Sequence, residues 1–347
     1  MSKIYRQLTA LMMTIILCTL CCTFACAEPM SFKSRSEALK YIEKNQPMEL
    51  TLEKIKMKPS DLLLIKEALP EGAEFHFTTK WGSVTFSDDV EELDLREKKN
   101  TVTLKELKAV IQICPNIKVI DNSKCTSLSN KVMIPLLEEY PNIQFEWVVD
   151  LGMGYHLSTK ATAYSTFKHI SSNKWLESDD LEMLKYCPRL KALDLGHHKI
   201  KSLDFLKYVP DLELLIIGQN RVSDISPMGQ LKHLQYAELF LNSFSDISCL
   251  ANCTELLDLN LTATNVDDLT ALDNITTLER LWVNSCTKLS QEQVDHFKEL
   301  HPNCTVDFKP KHGAKQDGWR DNPRYKHYLW CLKNRKWIPF NEEIPKK

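Results

Sequence analysis

Eight side chains with the chemistry of a recognition surface fall into three series whose period is 22 residues. They combine aliphatic, aromatic and charged types, and they are Leu214, Ile216, Tyr236, Glu238, Phe240, Asp258, Arg280 and Trp282. Aromatic rings and arginine are the usual anchors of protein interfaces. The set therefore predicts a site for a ligand or partner, with the apolar side chains as a patch and the charged ones as its rim.

Catalytic and metal-binding patterns are weaker in this sequence. Asp194, Glu238 and Asp258 are predicted to lie on the same face and could act in a cell-envelope enzyme on polysaccharide or peptide, but only their placement suggests it. His197 and His198 could bind a metal, although a solvated turn explains the pair better. The sequence has no glycine-rich phosphate loop, nucleophile elbow or metalloprotease helix. We therefore predict a protein that is not an enzyme, with no cofactor and no metal site.

The cysteines favour a structural role. Of the 12 cysteines, eight follow residue 27, which is few for a disulfide scaffold of this length. Cys114, Cys187 and Cys253 stand just before equivalent predicted strands. We expect buried free thiols there, because free cysteine packs as a small apolar residue. A disulfide between Cys249 and Cys253 and a zinc site are the alternatives.

A repeat explains the 22-residue spacing. From Cys187 onward, apolar residues occupy six columns with this period, and the first column holds Leu190, Leu212, Leu234, Leu256 and Leu278. Each unit reads Leu-x-x-Leu-x-Leu-x-x-Asn, the motif of a leucine-rich repeat. The alternating part predicts a short strand whose leucines point inward, so that the residues between them point outward.

The last position of the motif predicts a buried ladder. It is occupied by His198, Asn220, Asn242, Thr264 and Cys286. An asparagine side chain can both accept and donate hydrogen bonds to backbone groups where the chain leaves a strand. Stacked turns would then form a ladder of such bonds, with histidine, threonine and cysteine replacing asparagine on three rungs.

Longer units come before the regular ones. Predicted strands at Val90, Ile117 and Ile143 start 27 and 26 residues apart, and helical patterns cover 60–69, 103–113 and 129–139. Each unit ends at a proline, which stops the helix: Pro70, Pro115, Pro141, Pro188 and Pro302. The predicted fold is an α/β leucine-rich repeat solenoid, with a curved parallel sheet on its concave side and helices, then short 3₁₀ turns, on its convex side.

Two local details accompany this prediction. Thr103 and Glu106 fit a capping box at the start of a helix. Between Leu151 and Leu184 the units become irregular, so we expect a small insertion there.

The ends of the chain carry separate signals. Residues 1–27 combine a basic start, an apolar run and Ala25-Cys26-Ala27, which predicts a cleaved export signal. A lipidated Cys26 and an uncleaved membrane anchor are the alternatives. We assign 28–47 to a linker or cap, 48–186 to the longer, irregular repeats, 187–308 to the regular repeats with a helical cap, and 309–347 to a basic aromatic tail. The favoured role of this tail is to cover the last coil; binding of an anionic polymer is the alternative.

The 22-residue units resemble the internalin-like class of bacterial leucine-rich repeat proteins. Helical repeats that pass into short ones, followed by Gly318-Trp319-Arg320 and Pro323-Arg324-Tyr325, look like secreted or surface proteins of Gram-positive gut bacteria. The resemblance covers roughly residues 48–330. It implies the solenoid fold, surface exposure, and binding of a ligand or a host protein.

Net charge gives little indication of a partner. It is -2 for the whole sequence and becomes -4 without the first 27 residues, which carry two basic and no acidic side chains. We expect no nucleic-acid partner, and membrane contact only through an N-terminal anchor or lipid.

We predict an exported protein, secreted or held at the cell surface, that binds a protein or glycan through its concave face. A self-assembling structural protein is the alternative function. A second alternative concerns the apolar patch alone: the tail or a loop of the same chain could cover it.

Overall fold

The computed structural model describes residues 28–167, 174–311, 313 and 318–345. The predicted export signal at 1–27 lies outside these residues. The chain forms two compact units, one ending at Ile120 and the other beginning at Asp121. The regular repeats and all the predicted binding residues belong to the second unit.

The first unit alternates helices with strands. Its elements are α1 (Arg35–Asn45), β1 (Glu49–Ile55), α2 (Pro59–Glu67), β2 (Glu74–Trp81), β3 (Val84–Ser87), β4 (Glu92–Asp94) and α3 (Leu104–Ile113), with β5 (Val119–Asp121) at its end. Strands β1 and β2 are parallel and pair Leu52 with Phe77. Strand β3 is not predicted by the sequence pattern. It forms an antiparallel hairpin with β2 through Gly82, whose φ of 65° suits glycine.

The predicted capping box at α3 is only half formed. The Thr103 hydroxyl accepts a hydrogen bond from the Glu106 N–H at 3.3 Å. The Glu106 carboxylate, however, is buried and accepts from the N–H and the hydroxyl of Ser60 at 2.9 and 2.8 Å. The acid therefore joins α3 to α2, and this tertiary contact replaces the second bond of the local cap.

The second unit is organised on a seven-stranded parallel sheet. Its strands are β9 (Ala163–Ser165), β10 (Ala192–Asp194), β11 (Leu214–Ile216), β12 (Tyr236–Glu238), β13 (Asp258–Asn260), β14 (Arg280–Trp282) and β15 (Thr305–Asp307). Before the sheet come α4 (Asn130–Glu139), β6 (Gln144–Glu146), β7 (Val148–Asp150) and β8 (His156–Ser158). Helix α5 (Gln291–Leu300) precedes β15, and α6 (Pro323–Asn334) follows it.

The sheet keeps the 22-residue register of the sequence. Residues one period apart face each other on neighbouring strands, as in the series Ala192, Leu214, Tyr236, Asp258 and Arg280. The first leucine column, from Leu190 to Leu278, is at most 3% exposed. Short 3₁₀ turns such as Ser226–Gln230 return the chain between strands. The predicted leucine-rich repeat fold is confirmed.

Strand β9 lies where the sequence predicts an insertion. It pairs Tyr164 with Leu193, so a tyrosine takes the inward position that leucine holds in the regular units. The hairpin of β7 and β8 comes directly before it. The irregular stretch therefore contains a further repeat strand, which the leucine pattern alone does not reveal.

Two asparagines form the middle of the ladder. The Asn220 amide donates to the carbonyls of Leu195 and Ile217 at 2.9 and 3.0 Å. Its oxygen accepts from the N–H of Ile200 at 3.0 Å. Asn242 repeats the same pattern of bonds one unit further on. Both side chains thus satisfy backbone groups of two successive turns.

The other rungs use different chemistry. His198 accepts the N–H of Leu176 through Nδ1 at 3.2 Å. The Thr264 hydroxyl and the Cys286 thiol both donate to the Leu261 carbonyl, at 2.8 and 3.1 Å. These side chains offer fewer donor and acceptor sites than asparagine, so these rungs carry fewer bonds to the backbone.

A residue with left-handed backbone precedes every rung. Its φ lies between 52° and 65° at His197, Gln219, Leu241, Ala263 and Ser285. This conformation costs a residue with a Cβ roughly 1–2 kcal/mol. The ladder bonds hold the chain in this bend, so the two features occur together in each unit.

Replacing Asn242 by alanine should lower the free energy of unfolding by about 1–3 kcal/mol, because buried backbone groups lose their partner. Urea titration followed by circular dichroism measures the change. Asn303→Ala, at an exposed turn, is the matched control and should shift stability by less than about 0.5 kcal/mol. Equal effects at the two positions would contradict a buried ladder.

Ala263→Gly should instead raise the free energy of unfolding by about 0.5–1 kcal/mol, since glycine adopts positive φ without the Cβ clash. Ala271→Gly, in the 3₁₀ turn Thr270–Leu272, should lower it by about 0.5–1 kcal/mol through the entropy of the unfolded chain. In urea titrations of the two variants, we expect the free energy of unfolding to rise for Ala263→Gly and to fall for Ala271→Gly. A loss of stability at both positions would mean that the bend at Ala263 is unstrained.

Candidate functional site

The eight predicted binding residues share the outer face of the sheet, opposite the leucine core, but they are not open to solvent. Their exposed fractions range from 0% at Leu214, Tyr236 and Asp258 to 7% at Ile216 and Arg280. Residues 318–345 of the tail cover most of this face. The sequence leaves two interpretations of the apolar patch open, an external partner or cover by the chain itself. In the structure, the tail of the same chain covers the patch.

Aromatic side chains attach the tail to the sheet. The ring centroids of Tyr236 and Tyr328 are 4.9 Å apart, and those of Trp282 and Trp319 are 5.2 Å apart. Helix α6 buries Tyr328, Cys331 and Leu332, whose spacing of three and four residues places them on one helical face. The outward apolar columns and the apolar face of α6 therefore bury each other.

The tail runs across the sheet from β14 to β9. At its beginning, the Ser285 hydroxyl donates to the Gly313 carbonyl at 2.9 Å. Near its end, the Trp337 N–H donates to the Thr162 hydroxyl at 2.7 Å. The contacts of the tail therefore extend beyond the last coil, to which the sequence interpretation limits its cover. Apolar burial explains the longer path, since it is worth roughly 25 cal/mol per Å².

The charged side chains expected at the rim lie inside this packing. Asp258 has no exposed surface and accepts hydrogen bonds from Arg280 and, at 2.9 Å, from Arg324 of the tail. Arg280 also donates to the Trp319 carbonyl at 2.8 Å. A buried carboxylate requires such partners. Asp258 therefore joins tail and sheet, and it is not available as a rim residue or as a catalytic acid.

The cover is incomplete beside strands β10 to β12, where a cleft of about 230 Å³ opens. The sheet lines it with Asp194, Ile216 and Glu238, and Phe240 follows at the end of β12. The tail lines the opposite side with Arg320, Tyr325, Tyr328 and Leu329. Phe167 and Leu329, which also line the cleft, are 57% and 41% exposed. Two large apolar side chains are thus left open to solvent beside one cleft.

Two glycines make room for this cleft. Gly196 and Gly218 are successive members of the outward column that continues with Phe240. A Cβ at Gly218 would overlap the Phe240 ring, so the ring packs against bare backbone. A Cβ at Gly196 would have no contact closer than 3.4 Å. Gly196 lines the cleft, and an added Cβ there would make only ordinary van der Waals contacts.

Asp194 is a buried acid on the cleft wall. Its carboxylate accepts from the Ser165 hydroxyl at 2.6 Å and from the Gly196 N–H at 3.1 Å. Burial disfavours the charged form and raises the pKa of Asp194 to about 6, despite these two donors. The residue consequently changes charge close to neutral pH.

Glu238 is the second acid of the cleft and is 2% exposed. Its Oε1 accepts from the hydroxyls of Tyr236 at 2.6 Å and Tyr328 at 3.0 Å. Burial raises the pKa of both tyrosines, so they keep their protons and act as donors. The other oxygen, Oε2, accepts no hydrogen bond from the residues that the structure describes.

The two histidines at the strand end have separate roles. His197 lines the cleft, and burial lowers its pKa below the usual value. His198 belongs to the ladder, and burial lowers its pKa to about 4. Both rings are therefore neutral at pH 7, and they are not arranged as a metal-binding pair.

Sequence reasoning found the sheet side of the cleft but not its other side. Ile216, Glu238 and Phe240 were among the predicted binding residues, whereas Phe167, Tyr325 and Tyr328 were not. A usable signal was present in the tail, where Tyr325, Tyr328, Leu329 and Leu332 follow a helical spacing. Such a pattern predicts an amphipathic helix that needs a partner surface.

The cysteines take no part in this cleft. All eight cysteines that follow residue 27 are free, and six of them are buried. Burial raises the pKa of the Cys187 thiol to about 12. Cys249 and Cys253 form no disulfide and each donates to a backbone carbonyl.

No protein-family profile and no curated protein sequence matches this chain. An internalin from Listeria monocytogenes is similar in structure over 82% of this chain and 64% of its own length, with 17% identity and a TM-score of 0.40. Internalin C2 of that organism covers 72% and 92%, with 17% identity and a TM-score of 0.35. A leucine-rich repeat protein of Leptospira interrogans covers 75% and 72%, with 18% identity and a TM-score of 0.38. The fold assignment rests on the repeat register and the sheet.

The described residues contain no group of three or more histidine, cysteine or acidic side chains placed to hold a metal ion. None of their helices combines the length and the apolar character needed to span a bilayer.

Asp258→Ala should lower the free energy of unfolding by about 3–5 kcal/mol, because the buried guanidinium of Arg280 loses its carboxylate and the half-buried Arg324 keeps only Glu279. Urea titration monitored by tryptophan fluorescence reports both the stability and the environment of Trp319. Glu255→Ala, which removes an exposed pair with His233, is the control and should cost less than about 1 kcal/mol. Equal stability of the two variants would contradict the packing of the tail on the sheet.

Proposed function

We propose that this chain is an exported leucine-rich repeat protein that binds a protein partner, and that a side chain of the partner enters the cleft beside strands β10 to β12. One observation carries the proposal. Although the tail covers most of the outer face, the cleft stays open, and it is lined by aromatic rings and two acids. Such a pocket with an apolar margin is the usual form of an interface anchor site.

The proposal divides the eight predicted binding residues into those that line the cleft and those that hold the tail. Ile216, Glu238 and Phe240 line the cleft, and we assign them to binding together with Asp194 and the tail tyrosine Tyr325. The remaining members hold the tail, and they are Leu214, Tyr236, Asp258, Arg280 and Trp282. They would act on the partner only indirectly, by positioning α6.

A protein is favoured over a glycan by the margin of the cleft. Phe167 and Leu329 are exposed there, and apolar side chains around a pocket favour a partner that excludes water. Aromatic rings can also stack on sugars, so a glycan is the alternative occupant. Export is supported by the composition of residues 1–27 alone.

The test is capture by the immobilised chain, 28–347, from a cell-surface protein fraction, with a glycan array in parallel. Gly196→Leu should remove capture, because its side chain would grow into the cleft from a position where a Cβ has room. Ala251→Leu adds the same residue at an exposed site in a 3₁₀ turn and should capture normally. Light scattering of each variant separates capture from self-association.

Undiminished capture by Gly196→Leu would contradict the cleft as the binding site. Binding to the glycan array alone, lost in Gly196→Leu, would support the site and replace the protein partner by a glycan. Growth of the scattering particle with concentration, without any captured partner, would favour the self-assembling alternative.

Hydrolysis in the same cleft is a second candidate function, and the raised pKa of Asp194 favours it. A carboxyl group with a pKa of about 6 suits a general acid at neutral pH, and Glu238 faces the same space. Incubation with bacterial polysaccharides and peptides distinguishes the two functions. Hydrolysis requires products that accumulate with time and disappear in Asp194→Asn, whereas binding alone leaves the added polymer intact.

A further inference from the structure

We infer that the partner group accepted by the cleft is a basic side chain, the ammonium of lysine or the guanidinium of arginine, held over Ile216 between Asp194 and Glu238. The inference rests on the proposed function, because it names the part of the partner that enters. The fold alone does not specify the ligand group, and the inference gives this group a positive charge and an alkyl stem.

The first argument is the free oxygen of Glu238. This side chain is 2% exposed, and its Oε1 already accepts from two tyrosine hydroxyls. Oε2 accepts no hydrogen bond from the described part of the chain, although Glu238 lines the cleft. This oxygen is not enclosed, so a ligand in the cleft can reach it. N–H groups of a ligand would use acceptor capacity that the described part of the chain leaves unused.

The second argument is the placement of the other acid. Asp194 and Glu238 belong to one outward column, two strands apart, with Ile216 between them. At roughly 4.8 Å between strands, their Cα atoms lie about 10 Å apart. An alkyl chain can therefore rest on Ile216 while its terminal nitrogen reaches either carboxyl group. Lysine and arginine have this combination of an apolar stem and a charged end.

The third argument is the rest of the lining. Phe240, Tyr325 and Tyr328 contribute aromatic rings to the cleft, and ring faces attract cations. An anionic ligand would be repelled by Asp194 and Glu238. A sugar could donate hydroxyl groups but would bring no positive charge to the two carboxylates. The sheet side of the cleft, which carries both acids, therefore favours a cation.

Three basic side chains of the tail also line this cleft, and removing one of them gives the sharpest test of the inference. Arg335 lies 5.5 Å from the Tyr164 ring, and the exposed Arg320 lies 5.6 Å from the Tyr325 ring. Lys333 is the third. Arg320 faces Asp194 closely enough to favour its charged form. It would compete with a basic ligand, so its removal should strengthen binding.

The experiment is an NMR titration of the chain 28–347 with N-acetyl-lysine methylamide, N-acetyl-arginine methylamide and N-acetyl-norleucine methylamide. Norleucine keeps the alkyl stem and lacks the charge. Both basic probes should bind about tenfold more tightly than norleucine, because hydrogen bonds to charged groups are the stronger ones. Equal binding of norleucine, or no binding of either basic probe, would overturn the inference.

Substitutions in the cleft test which side chains determine the affinity for the lysine probe. Asp194→Asn and Glu238→Gln should each weaken the lysine probe by about tenfold. Glu238→Gln keeps an acceptor for Tyr236 and Tyr328, so the tail stays in place. Arg320→Ala should strengthen the probe by about threefold or more, as expected for removal of a nearby like charge. Glu255→Gln, outside the cleft, is the control. An unchanged affinity in Asp194→Asn and Glu238→Gln, or a weaker one in Arg320→Ala, would contradict the proposed contacts.

The affinity should also depend on pH. Asp194 loses its charge as the pH falls through about 6, so binding of the lysine probe should weaken between pH 7.5 and about 5. The charged or titratable groups around Asp194 are Glu238 on β12, His197 after β10, and Arg320, Tyr325, Tyr328, Lys333 and Arg335 of the tail. Asp194→Asn should remove most of this dependence. A pH profile that is the same in wild type and Asp194→Asn would count against the role of this acid.

The outcomes separate this inference from the proposed function. If Gly196→Leu abolishes partner capture while the carboxyl variants capture normally, the cleft binds a partner through a neutral group and only the inference fails. If Gly196→Leu captures normally while the lysine probe still binds, the cleft accepts cations and the proposed partner site fails.

Discussion

After each of strands β10 to β14, a residue with left-handed backbone is followed by a side chain that hydrogen-bonds to backbone groups of its own or a neighbouring turn. In the middle repeats this pair is Gln219 with Asn220 and Leu241 with Asn242. A shift of one residue would turn every inward leucine outward. The ladder and the bend therefore fix the register, and through it the columns of outward side chains on the sheet.

The fixed register places apolar side chains on the outer face of the sheet. Once the leucines point inward, Leu214, Tyr236 and Trp282 must point outward, where their apolar surface would meet water. The tail removes this exposure, and Asp258 supplies the charged contact that joins it to the sheet. The sheet and the tail are thus one packing unit, and the surface that faces solvent on this side of the sheet is the one that they form together.

The sequence predicts the sheet well because its information is periodic. The columns from Leu190 to Leu278 and the rungs at Asn220 and Asn242 repeat every 22 residues, and a repeat can be recognised without knowing any long-range contact. The path of the tail occurs once, so it has no such redundancy. Strand β9 was missed for a related reason, because Tyr164 replaces the leucine that marks a strand.

The composition of one outward column explains why the cleft exists at all. In a chain with only 9 glycines, Gly196 and Gly218 occupy successive positions of this column, so no side chain rises from the sheet beside Asp194 and Ile216. Phe240, next in the column, packs against Gly218 and closes one end. Helix α6 crosses above this space and contributes tyrosines, but it does not fill it. The cavity is therefore a consequence of missing side chains at fixed register positions, and the two acids that face it are positioned by the same register.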